Sequence, residues 1–337
     1  MIHYLGLSQL KKLLKIVGCE VLMQGITNAI EEDFKQWEAF KNQPRHASHF
    51  HHGVIELMVT HTNADYCFKY VNGHPENTQN QKLSVTGFGV LADVATGYPI
   101  FLSEMTVLTA FRTAASSVLA AKYLARSSAN KMAIIGTGAQ SEFQAIAFKS
   151  VLGIETLNIF DTDPEAMKKF QTNLSSHEFN LKLCTNIEEA IAGSDIITLC
   201  TTNRDREGLI KGHHLNSGQH YNAVGGDSPK KIEISMNALN QMEIFVELSK
   251  QTAIEGEIKQ LDTHHHVTEL WQVIQKKASG RTHDSQITLF DSVGYAIEDF
   301  STLRYIYTQA KKHNLLETID LIPDQLDDPK NLFGLIQ

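Results

Sequence analysis

The stretch MAIIGTGAQSEFQAIAF, residues 132–148, runs from an apolar strand directly into a glycine-rich turn and then into a helix. That is the context a dinucleotide-binding turn requires. Gly136 permits the tight turn, and Gly138 lets a pyrophosphate approach the backbone. The helix after Ala139 and Gln140 offers unpaired N–H groups to anionic oxygens. Ser141 stands where a third small residue is usual, so the bare GxGxxG spacing is not met. The next strand ends NIFD, placing Asp161 where a carboxylate accepts hydrogen bonds from an adenosine ribose and repels a 2′-phosphate. NAD is therefore expected over NADP. Asp163 before Pro164 is a better helix cap than Asp161, which leaves Asp161 available for the ribose.

Around this unit the pattern alternates. KMAIIG, TLNIFD, LKLCT and DIITLCT read as strands, interleaved with the helical segments SEFQAIAFKSVL, PEAMKKFQTNL and IEEAIAG. YNAVGG and IFVELS add further strands, and WQVIQKKASG reads as a helix ending at its glycine. Alternation of this kind predicts an α/β fold with a Rossmann-type, doubly wound parallel sheet. Upstream the character differs. Apolar positions at helical spacing over residues 7–41 predict two opening helices. VIELMVT, YCFKYV, LSVTGFGVLADV and YPIFLSEM then predict a sheet, antiparallel in part. The Ala-rich segment MTVLTAFRTAASSVLAAKYLA is expected to be a long helix bridging two domains. The last long helix, from DSVGYAIEDF onward, can pack back on the first domain. The expected division is a discontinuous α+β substrate-binding and dimerisation domain, residues 1–115 plus 310–337, around a dinucleotide-binding domain, 116–309.

A chain of 337 residues with 42% hydrophobic content is long enough for two cores. Its net charge of −8 and lack of any Lys/Arg block disfavour nucleic acid as a partner. Four scattered cysteines with no CxxC spacing suit a reducing cytoplasm. No apolar run reaches membrane-spanning length, so no membrane partner is expected. The histidines at 46, 49, 51, 52 and 264–266 lack ligand spacing and completing carboxylates, and no metal is expected. Trp37 and Trp271 sit among apolar neighbours as core residues.

Several charges break apolar patterns. Lys69 lies in the strand FKYV and Arg112 in TAFRTAA, each either snorkelling or binding an anion. Asp227 follows the two glycines of YNAVGG, beyond a strand end, where a carboxylate can exchange protons with a ligand; alone, in Gly-Asp-Ser-Pro, it reads more readily as a surface turn residue.

In FKYVNGHPENT, FGVLADVATGYPIFLSEMT, TAFRTAA, MAIIGTGAQSEFQA, NAVGGDSPKK, IEGEIKQL and ITLFDSVGYAIEDF the chain resembles the bacterial ornithine cyclodeaminases, relatives of mu-crystallin. The resemblance extends over essentially the whole sequence, including the tail ETIDLIPDQLDDPKNLF. It implies a homodimer that converts L-ornithine to L-proline and ammonia, with NAD regenerated in each turnover. It further implies that Arg45, Lys69 and Arg112 hold the substrate α-carboxylate, that Asp227 deprotonates or orients the δ-ammonium, and that Glu56 and Val293 border the substrate. On the cofactor side it carries over Ser84, Ala139, Gln140, Asp161, Thr201, Asn222, Val224, Lys231 and Ser292. Ser84 and Ser228 replace an expected threonine and cysteine of similar size. An imine or ketimine reductase, or an amino-acid dehydrogenase, is the alternative within the family. A non-catalytic nucleotide-binding protein is the alternative outside enzymes, and the intact set Arg45, Lys69, Arg112 and Asp227 speaks against it.

Overall fold

The computed structural model describes residues 1–202, 207–226, 231–262, 265–323 and 328–337. The chain opens with β1 (Ile2–Leu5), α1 (Leu7–Val17) and α2 (Cys19–Phe34). Then come β2 (His46–Phe50), β3 (Gly53–His61), β4 (Asp65–Gly73), β5 (Val85–Asp93), β6 (Pro99–Glu104) and the long α3 (Thr106–Leu124). The alternating half follows: β7 (Lys131–Ile135), α4 (Ser141–Leu152), β8 (Thr156–Phe160), α5 (Pro164–Asn173), β9 (Asn180–Leu183), α6 (Ile187–Ile191) and β10 (Ile196–Leu199). It continues with β11 (His220–Ala223), α7 (Met236–Leu239), β12 (Glu243–Val246), α8 (Ser249–Glu255), β13 (Thr268–Glu269), α9 (Leu270–Ile274) and β14 (Thr288–Asp291). Helix α10 (Ala296–Lys312) and β15 (Glu317–Ile319) close the described fold.

Two sheets result. The first has the order β15-β1-β6-β5-β4-β3-β2 and is antiparallel except where β1 lies parallel to β6. The second, β13-β12-β14-β11-β10-β7-β8-β9, is parallel throughout. Succession runs outward from β7 to β8 and β9, then restarts at β10 on the other side of β7, so the switch point lies between β7 and β10. In such sheets the crevice at the carboxyl ends of these strands is the ligand-binding place.

Helix α3 joins the two halves. Thirteen of its residues are buried, four of its five alanines and both serines among them, and small side chains let α2, α4 and α10 pack close on it. The stacked Trp37 and Trp271 rings, 5.6 Å apart, make a second junction. Helix α10 lies against β3, β4, β5, α2 and α3. Two local expectations are corrected. A strand, β1, precedes the two opening helices, because IHYL finds partners in β6 and β15 that lie far away in sequence. Helix α9 stops at Ile274 rather than running to Gly280, since Lys276 takes a left-handed φ of 60° that a helix does not allow.

Candidate active site

The glycine-rich turn occupies the end of β7. Gly136 has φ 91°, and a Cβ there would stand 2.8 Å from the Cys200 carbonyl oxygen, so only glycine fits. At Gly138 a Cβ would meet nothing within 4 Å, and α4 starts without a side-chain cap. Open space in front of uncapped helical N–H groups is what a pyrophosphate needs. Asp161 closes β8. Its Oδ2 accepts the Thr137 N–H at 2.6 Å and its Oδ1 the Asp163 N–H at 2.9 Å, while Asp163 caps α5 through the Glu165 N–H. Gln140 reaches across to the Ala110 carbonyl on α3 at 3.0 Å, and Ala139 is exposed beside it.

The neighbouring strand ends supply the rest of this edge. Thr201 follows β10 and gives both its N–H and its hydroxyl to Glu233 Oε1, at 2.8 and 2.7 Å. Asn222 is buried inside β11, between His220 and Thr198, and the Val224 N–H bonds Leu199. Ser292 follows β14, its hydroxyl on Glu247 Oε1 at 2.6 Å. Lys231 is half-buried near Glu233. Ser84 is elsewhere, just before β5, its carbonyl taking the His74 N–H; no hydrogen bond among the described residues joins it to this crevice. Asp227 and Ser228 lie outside the described residues.

Next to the carboxyl end of β14 three cations are gathered in the interior. Arg45 donates to Glu56 Oε2 at 3.0 Å and to the Gly294 carbonyl at 2.7 Å, with Glu255 3.4 Å from its Nε. It also donates to the carbonyl of Val293, whose own N–H goes to Glu247. Lys69, fully buried on β4, donates to Asp299 Oδ1 at 2.6 Å. Arg112 on α3 reaches the same oxygen at 3.2 Å and Glu298 Oε2 at 3.3 Å. Gly294, φ 78°, lets the backbone pass Arg112: a Cβ there would fall 2.4 Å from Nη1.

Sequence reasoning names the three cations and Glu56 but not Glu247, Glu255, Glu298 or Asp299. Three of those four lie inside IEGEIKQL and ITLFDSVGYAIEDF; the available signal was an acid at a position an apolar helix face would otherwise fill. Their burial has consequences. Desolvation, with the Arg112 charge beside it, brings Lys69 down to about 8. Desolvation and the Glu247 charge push Glu298 up to about 8. Cations fixed in this way by packed carboxylates are already oriented when an anionic ligand arrives.

Among the described residues Glu188, His213 and His214 come close enough together to face one ion, a group the sequence reading did not single out. His214 Nδ1 accepts the Lys211 N–H at 3.1 Å, so the ring proton sits on Nε2, 3.1 Å from Glu188. A metal on Nε2 would need that proton moved to Nδ1, against a backbone N–H. His214 thus bridges the Lys211 N–H and Glu188, and His213 stands edge-on to its ring with centroids 4.2 Å apart.

Fold and site together define an α/β protein with a glycine-rich strand–turn–helix at the switch point of a parallel sheet, facing a buried cluster of paired charges. The chain belongs to the ornithine cyclodeaminase/mu-crystallin family, whose model matches residues 9–314. It is 48% identical over 335 residues to the protein named ornithine cyclodeaminase from Agrobacterium tumefaciens, covering 99% of this chain and 94% of that one. Two solved structures superpose closely. An archaeal alanine dehydrogenase dimer with bound NAD gives a TM-score of 0.86 at 28% identity, covering 95% of this chain and 99% of that one. The Δ1-pyrroline-2-carboxylate reductase of Thermococcus litoralis, in complex with NADH and L-proline, gives 0.85 at 30% identity, covering 94% and 100%.

Proposed function

We propose that this protein is an ornithine cyclodeaminase that converts L-ornithine to L-proline and ammonia with NAD as a recycled cofactor. The observation that carries the reading is the convergence of Arg45, Lys69 and Arg112 beside the β14 end of the parallel sheet, in a chain 48% identical along its length to relatives of that name. Bound NAD would supply a hydride acceptor that later becomes the donor, so that net redox change is zero.

The chain's own residues bind, orient and move protons. Open space at Gly138 and the uncapped start of α4 receive the pyrophosphate, and Asp161 faces the adenosine ribose. Gly136, Ala139, Gln140, Thr201, Asn222, Val224, Lys231 and Ser292 line the cofactor side, while Ser84 stands apart from them before β5. Arg45, Lys69 and Arg112 hold the substrate α-carboxylate, fixing Cα in one orientation. Val293 borders the aliphatic chain, and Glu56 keeps Arg45 in place. Asp227 takes a proton from the δ-ammonium, because a protonated amine has no lone pair with which to attack the oxidised Cα.

The chain pairs as a homodimer through the outer face of the first sheet. Leu57, Tyr70 and Phe88 stand in one cross-strand row on β3, β4 and β5, with Leu57 and Phe88 more than 40% exposed. Half-buried Val59, Phe68, Val90 and Leu102 form the next such row. An apolar patch of that kind calls for a partner. We place the protein in the cytoplasm: its four cysteines are free, and among the described residues no single helix is long and apolar enough to cross a membrane. We assign α10 to the discontinuous first domain, which sets its second boundary near residue 296.

A second reading, an NAD(P)-dependent ketimine reductase or amino-acid dehydrogenase, draws on the names of the two superposed structures. One assay separates them. Purified protein is incubated with L-ornithine and catalytic NAD, following absorbance at 340 nm together with proline and ammonia. Equal proline and ammonia with no net NADH supports the cyclodeaminase. Conversion of the supplied NAD to NADH with turnover ceasing there, or turnover only with a cyclic imine and NADH, overturns it.

A further inference from the structure

Three carboxylates that the mechanism leaves unused are buried side by side at the carboxyl edge of the parallel sheet: Glu233, Glu257 and Asp291. Such a group loses its hydration and repels its neighbours, so it persists only where strong donors compensate. Here the donors come from the loops that build the site. Glu233 Oε1 takes the N–H and hydroxyl of Thr201, and its Oε2 takes the Gly225 N–H at 2.8 Å. Glu257 accepts the N–H groups of Glu233 and Ile234, at 2.8 and 3.2 Å. Asp291, the last residue of β14, accepts the Ile258 N–H at 2.9 Å.

The bonds form a chain with a direction. Asp291 anchors the short 3-10 turn Glu257–Gln260. Glu257 anchors the segment that carries Glu233, and Glu233 ties the loop after β10 to the loop after β11. The fit around it is tight: a Cβ on Gly225 would lie 2.5 Å from Glu233 Oε1 and 2.1 Å from the Thr201 carbonyl oxygen.

We infer that Glu233 is a positioning residue which sets the spacing between Thr201, on the cofactor side, and Gly225, two residues ahead of Asp227, and that Glu257 holds Glu233 to that task. The half of the inference that reaches Asp227 rests on the cyclodeaminase reading; the half that reaches Thr201 does not. Burial pushes Glu233 up to about 7, and burial with the Asp291 and Glu233 charges pushes Glu257 up to about 8. Protons retained in the cluster near neutrality relieve its internal repulsion.

The test is Glu233→Gln, which keeps the shape but turns an NH2 toward one of the donors now facing oxygen. Three quantities are read: the melting temperature, the NAD dissociation constant by direct titration, and kcat with KM for L-ornithine at saturating NAD. The expected result is an NAD dissociation constant raised about tenfold and kcat lowered about ten- to a hundredfold. KM for L-ornithine should move less than about threefold, because the Arg45, Lys69 and Arg112 contacts do not pass through Glu233. A folded variant with NAD affinity unchanged, whatever its melting temperature, makes Glu233 a structural strut and overturns the inference. Weakened NAD binding with unchanged kcat, in an enzyme active on L-ornithine, overturns the half that reaches Asp227. If Glu233→Gln does not fold, Glu257→Gln decides, since it loosens the anchor of the segment that carries Glu233 without touching the cofactor side: weaker NAD binding supports the link and unchanged binding overturns it. A wild-type protein inactive on L-ornithine would sink the proposed function, while NAD affinity would still decide the part that concerns Thr201.

Discussion

Lys69 Nζ and Asp299 Oδ1 meet at 2.6 Å with both side chains fully buried, joining β4 to the first turn of α10 across 230 residues of sequence. Removing one partner of such a pair strands the other charge in the interior, which costs far more than the pair contributes over an apolar replacement. Asp299→Asn should therefore lose about 3–5 kcal/mol of unfolding free energy in denaturant titration. A loss below about 1 kcal/mol would mean that Lys69, already lowered by burial and the Arg112 charge, sheds its proton rather than staying charged in the interior.

Stability should depend on pH in a direction set by the buried acids. Glu233 is raised to about 7 and Glu257 and Glu298 to about 8, chiefly by desolvation. A raised carboxyl contributes stability that is fully present below its ordinary value and is lost as pH climbs through the folded one. His220, buried and lowered to about 3, works oppositely but only below about 6.5. The melting temperature should thus fall between about pH 6.5 and 8. Lys69, lowered to about 8, opposes further decline at higher pH, since its unfavourable charge is relieved there. Thermal melts across this range in wild type and Glu257→Gln check it: the variant should show the shallower fall, and a flat wild-type curve would contradict the assignment.

Arg112 spans two carboxylates, Glu298 at 3.3 Å and Asp299 at 3.2 Å, with a planar fork that a lysine ammonium cannot reproduce. Arg112→Lys should raise KM for L-ornithine by about tenfold, since one or two charge-assisted bonds are lost or bent. NAD affinity, measured separately, should stay within about twofold, because no contact of Arg112 reaches the glycine-rich turn.

Cofactor choice should turn on Asp161. Its carboxylate is held at the end of β8 by the Thr137 and Asp163 N–H groups, a placement from which it repels a 2′-phosphate. Asp161→Asn keeps one acceptor and removes the charge. The ratio of NADP to NAD dissociation constants should drop by about tenfold, corresponding to about 1.4 kcal/mol. An unchanged ratio would place the discrimination elsewhere.

The row of Leu57, Tyr70 and Phe88 gives a test of assembly that leaves the site intact. The Tyr70 and Phe88 rings stack at 5.3 Å on the outer face of the sheet, away from Lys69 on the inner one. Leu57→Glu combined with Phe88→Glu should convert a dimer to a monomer in light scattering, because charges in a desolvated interface go unpaired. A dimer of unchanged mass would move the interface to another surface.

The strand–turn–helix of residues 132–148 and the alternation after it were legible because strand and helix periods and the turn at Gly136 are set by near neighbours. Strand β1 was not: IHYL is four residues long, and what makes it a strand are hydrogen-bond partners in β6 and β15. The end of α9 at Ile274 was missed for a related reason, since a left-handed lysine two residues on, Lys276, leaves no compositional mark. In the site, Lys69 and Arg112 stood out as charges in apolar runs. Glu298 and Asp299 did not, because two acids opening a helix read equally as ordinary first-turn residues.

Residue order by itself determined the alternation of strand and helix after residue 131, where the phosphate-sized turn falls, and which cations are candidates for an anion. The tertiary structure decided that each of those cations already faces a carboxylate, and that Glu233, Glu257 and Asp291 lie together beneath the loops of the site. Period and backbone angle are local properties of the chain, whereas desolvation and Coulomb energy depend on distances between residues such as Lys69 and Asp299 that only folding brings within reach.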